Sequence, residues 1–219
     1  MRHICEQWLF PSPERSRFNS GSFPLTPAEG DAIAADATAS RRLLTSYKLI
    51  LDFYGFEMVG EETGELRRKA DPSFPGPPSA LGHAARFRNL NTVGNHNFMR
   101  ISRILHCLKA CGLGRYTRPF LRILYHEAFV EGTLSACCES FARFWMRLVG
   151  EDWAAVAEAE FPKALALAQG GRVRREKRIK CDGCGALLLD GEAFQKHCAE
   201  VEHDDEFAFT CTEVVVEAK

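Results

Sequence analysis

The 219-residue chain is 46% hydrophobic and 26% charged, with a formal net charge of −1. This is the make-up of an ordinary folded protein with one sizeable core and room for a small module, and it excludes any global electrostatic pull toward nucleic acid or anionic membrane. The nine cysteines are odd in number and lie in apolar helix-like runs or at a metal-like spacing, and no cleavable leader precedes them; they read as thiols of an intracellular protein of nucleus or cytoplasm, not a secreted disulfide framework.

Trp8, Leu9 and Phe10 form an apolar plug, read as the first piece of core ahead of a docking anchor. After a Pro- and Ser-rich stretch, Thr26-Pro27-Ala28-Glu29 has the form of a capping box with proline at the first helical position. A second helix is expected to be capped by Ser40. It carries Leu43, Leu44, Tyr47, Leu51 and Tyr54 on one stripe and stops at Gly55. Lys48 and Asp52 interrupt that most apolar stretch, so nothing can span a bilayer. Residues 60–78 turn to Gly, Pro and charge and read as loop or linker. Helical periodicity then runs from about Ala80 to Gln169 in segments of roughly 12–18 residues, broken near Gly94, Gly112 to Gly114, Gly132 and Gly150. No strand-like alternation is apparent before residue 180. Residues 1–170 are therefore expected to form an all-α helical domain.

The most polar passage of that domain is residues 87–108. A helix from about Asn95 places Phe98, Ile101, Leu105 and Leu108 on one side and His96, Arg100 and Arg103 on the other. Asn89, Asn91, Asn95 and Asn97 crowd its start, where side-chain oxygens can take free backbone donors. His96, Arg100 and Arg103 are the candidate contacts for an anion or acidic peptide; the bland alternative is a capped, solvated helix face.

Residues 171–180 are read as a basic linker. Arg172, Arg174, Arg175, Lys177, Arg178 and Lys180 face one acid, Glu176, and serve as a nuclear-import signal, a phosphate-binding strip or plain solvated linker. Residues 181–212 follow as a small ββα zinc-finger module of the C2H2 type. Cys181, Cys184, His197 and His203 give C-x2-C-x12-H-x5-H, so two thiolates on a knuckle and two imidazoles on a helix can close a tetrahedral structural Zn2+ site. Leu188 and Phe194 supply its miniature core, and the tail beyond is Val-rich enough for a short strand. The helix positions that would read bases hold Asp190, Ala193 and Lys196 with acids around them, which argues against DNA reading. HCAEVEHDDEF (197–207) loosely resembles the lone finger of OTU-type deubiquitinases, which implies a protein-binding finger for ubiquitin or a ubiquitin-like partner.

The blocks WLFP (8–11), LTPAE (25–29), SYKLILDFYGF (46–56), FRNLN (87–91) and HNFMRISRIL (96–105) resemble, in order and spacing, the conserved region of the opioid growth factor receptor. The resemblance covers roughly residues 3–150. It implies a non-enzymatic, growth-regulating protein that binds the opioid peptide Met-enkephalin and associates with nuclear or perinuclear membrane fractions, peripherally and without a span. Against the vertebrate pattern, this chain is expected to lack an acidic lead-in and a repeat-rich tail and to add the finger.

Enzyme readings fail at the residues. His126-Glu127 opens an H-E-x-x-H-like string, but Val130 stands where the second ligand belongs, and the pair reads as an exposed polar patch. Cys107 with Cys111, and Cys137 with Cys138, read as buried small hydrophobes. P-loop, nucleophile-elbow and dinucleotide fingerprints are missing from the sequence.

Overall fold

The computed structural model describes residues 9–15, 21, 23–72, 81–170, 173–181, 187–188 and 209–217, the last three stretches as backbone course only. Over residues 27–170 the architecture is mostly helical. Helix α1 (Pro27–Ala35) starts on the expected capping box: the Glu29 amide donates to Thr26 Oγ1 at 3.3 Å, and the Glu29 carboxylate accepts from the Thr26 amide at 2.8 Å. The Thr26 amide and the Thr26 hydroxyl, both donating to it, hold the Glu29 carboxyl below its ordinary range.

Helix α2 (Ala37–Tyr54) buries all five stripe residues, Leu43, Leu44, Tyr47, Leu51 and Tyr54. Its cap is Asp36 instead of the expected Ser40. Asp36 Oδ1 accepts from the amides of Thr38 (2.7 Å) and Ala39 (3.1 Å), while the Ser40 hydroxyl turns back to the Ile33 carbonyl at 3.0 Å. A carboxylate facing two unpaired amides is the stronger cap. Gly55 ends the helix at φ 90°, and a Cβ there would come within 3.0 Å of His83, so only glycine fits.

Residues 56–68 correct the loop reading and the expectation of no strands before residue 180. Strand β1 (Phe56–Met58) pairs antiparallel with β2 (Leu66–Arg68), Glu57 opposite Arg67. Three residues per strand is too short for alternation to show in sequence. Helices α3 (His83–Leu90) and α4 (Asn97–Ala110) follow, separated by a turn at Gly94 (φ 73°). The Asn95 carboxamide oxygen takes the Asn97 amide at 2.9 Å, as the asparagine-rich start of α4 anticipates.

After a 3-10 turn at Gly114–Tyr116 comes α5 (Thr117–Tyr125), which runs into a π-turn, His126–Val130. The next stretch passes through a 3-10 turn (Ser135–Cys137), α6 (Cys138–Ser140), a second π-turn (Phe141–Trp145) and another 3-10 turn (Met146–Leu148). The final helical segment is split into α7 (Trp153–Glu160) and α8 (Pro162–Ala168). Pro162 has no N–H to continue α7 and begins a new helix instead.

One core runs through these elements. Tyr47, Leu51 and Phe56 meet Phe87, Ile101, Leu105, Phe120, Leu124, Phe129, Phe141, Trp145 and Phe161, each at most 4% exposed. Phe141 packs edge-on to Phe129, Trp145 and Phe161, and Trp145 Nε1 donates to Ser102 Oγ at 2.9 Å, pinning the second π-turn to α4.

The basic run is not a free linker. Residues Val173–Cys181 form strand β3, the middle of an antiparallel sheet between β4 (Leu187–Leu188) and β5 (Phe209–Glu217). The Val-rich tail is thus a strand, as its composition suggests. Pairing sets Lys177 opposite Glu213, and Arg174, Arg175 and Glu176 opposite Val216, Val215 and Val214. At most positions of this register a charged residue of β3 stands opposite an uncharged residue of β5.

Candidate functional site

The site is built along α4. Residues 72–126 hold seven arginines, one lysine and no Asp or Glu, a segregation of charge that the expectations above did not draw out. Acids from elsewhere meet some of these cations. Arg86 reaches Asp52 at 3.8 Å and lies over the Phe53 ring. Arg118 and Arg122 converge on Glu160, whose carboxyl their hydrogen bonds pull down to about 2. Arg115 stacks on the Tyr116 ring at 4.7 Å.

The three expected contacts part company. His96 is the N-cap of α4, in helical conformation and exposed, and makes no capping bond. Arg100 Nη1 donates to Asn97 Oδ1 at 2.7 Å, one turn back. Arg103 is drawn away from solvent: its Nε donates to the Phe10 carbonyl at 2.8 Å, and burial pushes its guanidinium below the ordinary arginine range. Arg103 thus belongs to the seat of the N-terminal segment, not to an open anion surface with His96.

That segment, residues 9–15, crosses α4 without regular pairing. Phe10 is 1% exposed and joins the core, in agreement with the plug reading, while Leu9 remains 44% exposed. Ser12 is buried, and its carbonyl accepts from the Leu25 amide at 2.9 Å. Glu14 Oε1 lies 3.2 Å from His106 Nε2. Burial pushes the His106 pKa down, and Glu14 offsets part of that. A chain segment is therefore held on one helix by a buried aromatic, an arginine-to-carbonyl bond and a carboxylate-to-imidazole contact.

His126-Glu127 needs correction. His126 is exposed, but Glu127 is 1% exposed and meets Arg68 of β2 bidentately, at 2.6 Å and 2.7 Å. Arg68 also reaches Glu131 at 3.2 Å, and the Thr133 hydroxyl donates to the Glu127 carboxylate. The π-turn carrying Glu127 aims it inward. Periodicity misses this because one residue is inserted into the helix. The group is a buried brace, tying the hairpin to the end of α5.

The cysteine pairs are buried as expected. Burial and the neighbouring Cys111 push the Cys107 thiol far up, and Cys137 and Cys138 donate to the carbonyls of Leu134 and Ala128. Cys111 is likewise pushed up by burial, so neither member of the first pair has the lowered pKa of a reactive thiol.

Of the zinc residues, Cys181 is the last residue of β3, and Cys184, His197 and His203 lie outside the described residues, as does Arg172. Ile179 and Lys180 pair with Leu188 and Leu187. Among the described residues, no three His, Cys, Asp or Glu side chains converge as a metal site, and no helix is long and apolar enough to cross a membrane.

These features define a helical domain whose distinguishing surface is a strap-covered cationic helix. The conserved-region model of the opioid growth factor receptor matches residues 1–154. The chain belongs to that family. It is 31% identical over 144 residues to opioid growth factor receptor-like protein 1 of Rattus norvegicus, covering 66% of this chain and 28% of the relative. It is 33% identical to the rat opioid growth factor receptor and 32% identical to the Homo sapiens receptor over the same length, covering 23% and 19% of those proteins. The chain thus spans less than a third of the curated relatives it matches. No solved structure matches it.

Proposed function

We propose that this protein is a non-enzymatic, peptide-binding regulatory protein. What carries the reading is family membership across residues 1–154, beside relatives named for an opioid growth factor. The physical support is the acid-free run 72–126, which leaves α4 rich in donors and cations suited to a peptide's carbonyls and terminal carboxylate. On this reading Met-enkephalin is the ligand, and the protein works in the nucleus or at perinuclear membranes through peripheral association. Titration of labelled Met-enkephalin against the full chain tests it: saturable binding at micromolar peptide is expected, and no saturation removes the receptor role.

A second reading concerns the C-terminal module as an adaptor for ubiquitin or another protein. It is supported by the β3–β4 pairing around the Cys181-x2-Cys184 segment. Cys181, Cys184, His197 and His203 would hold a structural zinc that clamps the turn. One equivalent of zinc per chain, lost together with the captured partner in Cys181→Ser/Cys184→Ser, is the expected result; an unchanged partner set removes it. Nucleic-acid binding through β3 is weaker, because the whole chain carries a formal net charge of only −1 and offers no global pull toward phosphate. Steep salt dependence abolished by Arg→Ser changes at 174 and 178 would be needed to support it.

A further inference from the structure

We propose that residues 9–14 are an internal ligand seated in a peptide-binding groove along α4, and that the groove's external ligand is a peptide of the same chemistry. That chemistry is a large aromatic residue with a carboxylate four residues beyond it. The inference rests on the peptide-binding reading and names its site and ligand class.

Three contacts define the groove. Phe10 is buried in the core, its carbonyl takes the Arg103 Nε at 2.8 Å, and Glu14 meets His106 at 3.2 Å. Arg103 and His106 stand three residues apart on one helix, so their side chains are neighbours and face the segment together. Pro11 and Pro13 fix φ and deny the segment helical hydrogen bonds. It bends at Phe10, Pro13 and Glu14, and its two prolines leave it few alternative backbone shapes, so it arrives pre-ordered.

The arginine decides between a ligand seat and a mere strut. Among the described residues, Arg103 bonds to a neutral carbonyl and has no acidic partner, while burial disfavours its charge. A guanidinium fork beside a bound backbone is a recognition device, because it can grip the main chain of any segment whose side chain fills the place of Phe10.

The segment is also lightly held. Among the described residues, its backbone is tied by the Leu25-to-Ser12 bond and by Arg103, and residues 10–15 form neither helix nor ladder. Such elements open locally well before a domain unfolds. Tethered in the same chain, the segment acts at an effective concentration on the order of millimolar. A free peptide that binds the unaltered chain at micromolar concentration must therefore have a tighter affinity for the open groove, which makes the strap a gate on its own groove.

The test uses the full chain and a fluorescein-labelled peptide copying LFPSPER (residues 9–15), read by anisotropy. In Phe10→Ser/Glu14→Lys the strap is released, and the peptide should bind at least tenfold more tightly than to the unaltered chain. Adding Arg103→Ala should return binding to the weak level, and a peptide with Ser for Phe should not bind. A released variant that unfolds cooperatively yet binds no peptide overturns the proposal.

If that variant does not fold, amide exchange of the unaltered chain decides. The Leu25 N–H, bonded to Ser12, should exchange at least a hundredfold faster than the Leu105 N–H within α4; equal rates would show that the strap opens only with the whole domain and would sink the idea. Met-enkephalin run in parallel separates the two readings. Equal pentapeptide binding to both chains, without competition from LFPSPER, overturns the gate and leaves the receptor reading. Binding of LFPSPER alone leaves the groove and removes the opioid ligand.

Discussion

Glu127 shows how one side chain's environment changes its meaning. By sequence it stands beside His126 in what looks like a surface pair; in the fold it is buried on a π-turn, held by both arms of Arg68. Removing one partner of such a pair leaves a buried charge uncompensated, which costs about 3–5 kcal/mol. Arg68→Ala should therefore lower the unfolding free energy by about 3 kcal/mol, read as a reduced urea midpoint. Glu127→Gln should cost less, since the amide can still bond Thr133 and Arg68. A midpoint unchanged in Arg68→Ala would show that the brace contributes nothing. The partner of Glu127 lies 59 residues away, so no local pattern could have revealed the burial.

At the scale of elements, two ties fix the helices to one another. Glu160 at the end of α7 receives Arg118 and Arg122 of α5. Its carboxyl is held at about 2 against an ordinary value of 4.5. A carboxylate depressed in the folded state adds stability above its unfolded pKa, and the addition is lost as pH falls. The loss should run from about pH 4.5 down through about 2, and Glu160→Gln should flatten that part of the acid-unfolding curve; a curve of unchanged shape would contradict the tie.

The second tie is Gly30, where α1 crosses the end of α4. A Cβ at Gly30 would stand 2.4 Å from the Ala110 carbonyl oxygen. Helix propensity alone favours Ala over Gly by about 1 kcal/mol. Contact with a rigid backbone oxygen outweighs that, so Gly30→Ala should lower the melting temperature. A rise would mean that α1 can shift without loss.

The helices were legible wherever several turns repeat. The stripe of α2 has five apolar residues at helical spacing, and all five are buried. Thr26-x-x-Glu29 and Gly55 act locally, so their roles follow from sequence alone. Asp36 displaced Ser40 because the helix begins three residues before the hydroxyl. The β1–β2 hairpin was too short to register, and the break before Pro162 was hidden inside a continuous helical pattern. Strand β3 was masked by its charge: Arg and Lys read as linker until their partners, some thirty to forty residues on, are known. The same distance problem hid the seat of the strap. Arg103 was singled out from its helix face, but Phe10, the group it holds, is 93 residues earlier.

For the whole molecule, family membership and the strap-covered helix support the proposal that this chain recognises a peptide along α4. The direct measurement is a titration of the 15N-labelled full chain with unlabelled Met-enkephalin, followed by amide chemical shifts. The account expects saturable shifts gathered at Phe10 to Glu14, Leu25, Arg100, Arg103 and His106, as the ligand competes for the groove. No saturable shifts, or shifts confined to residues 173–217, would contradict it.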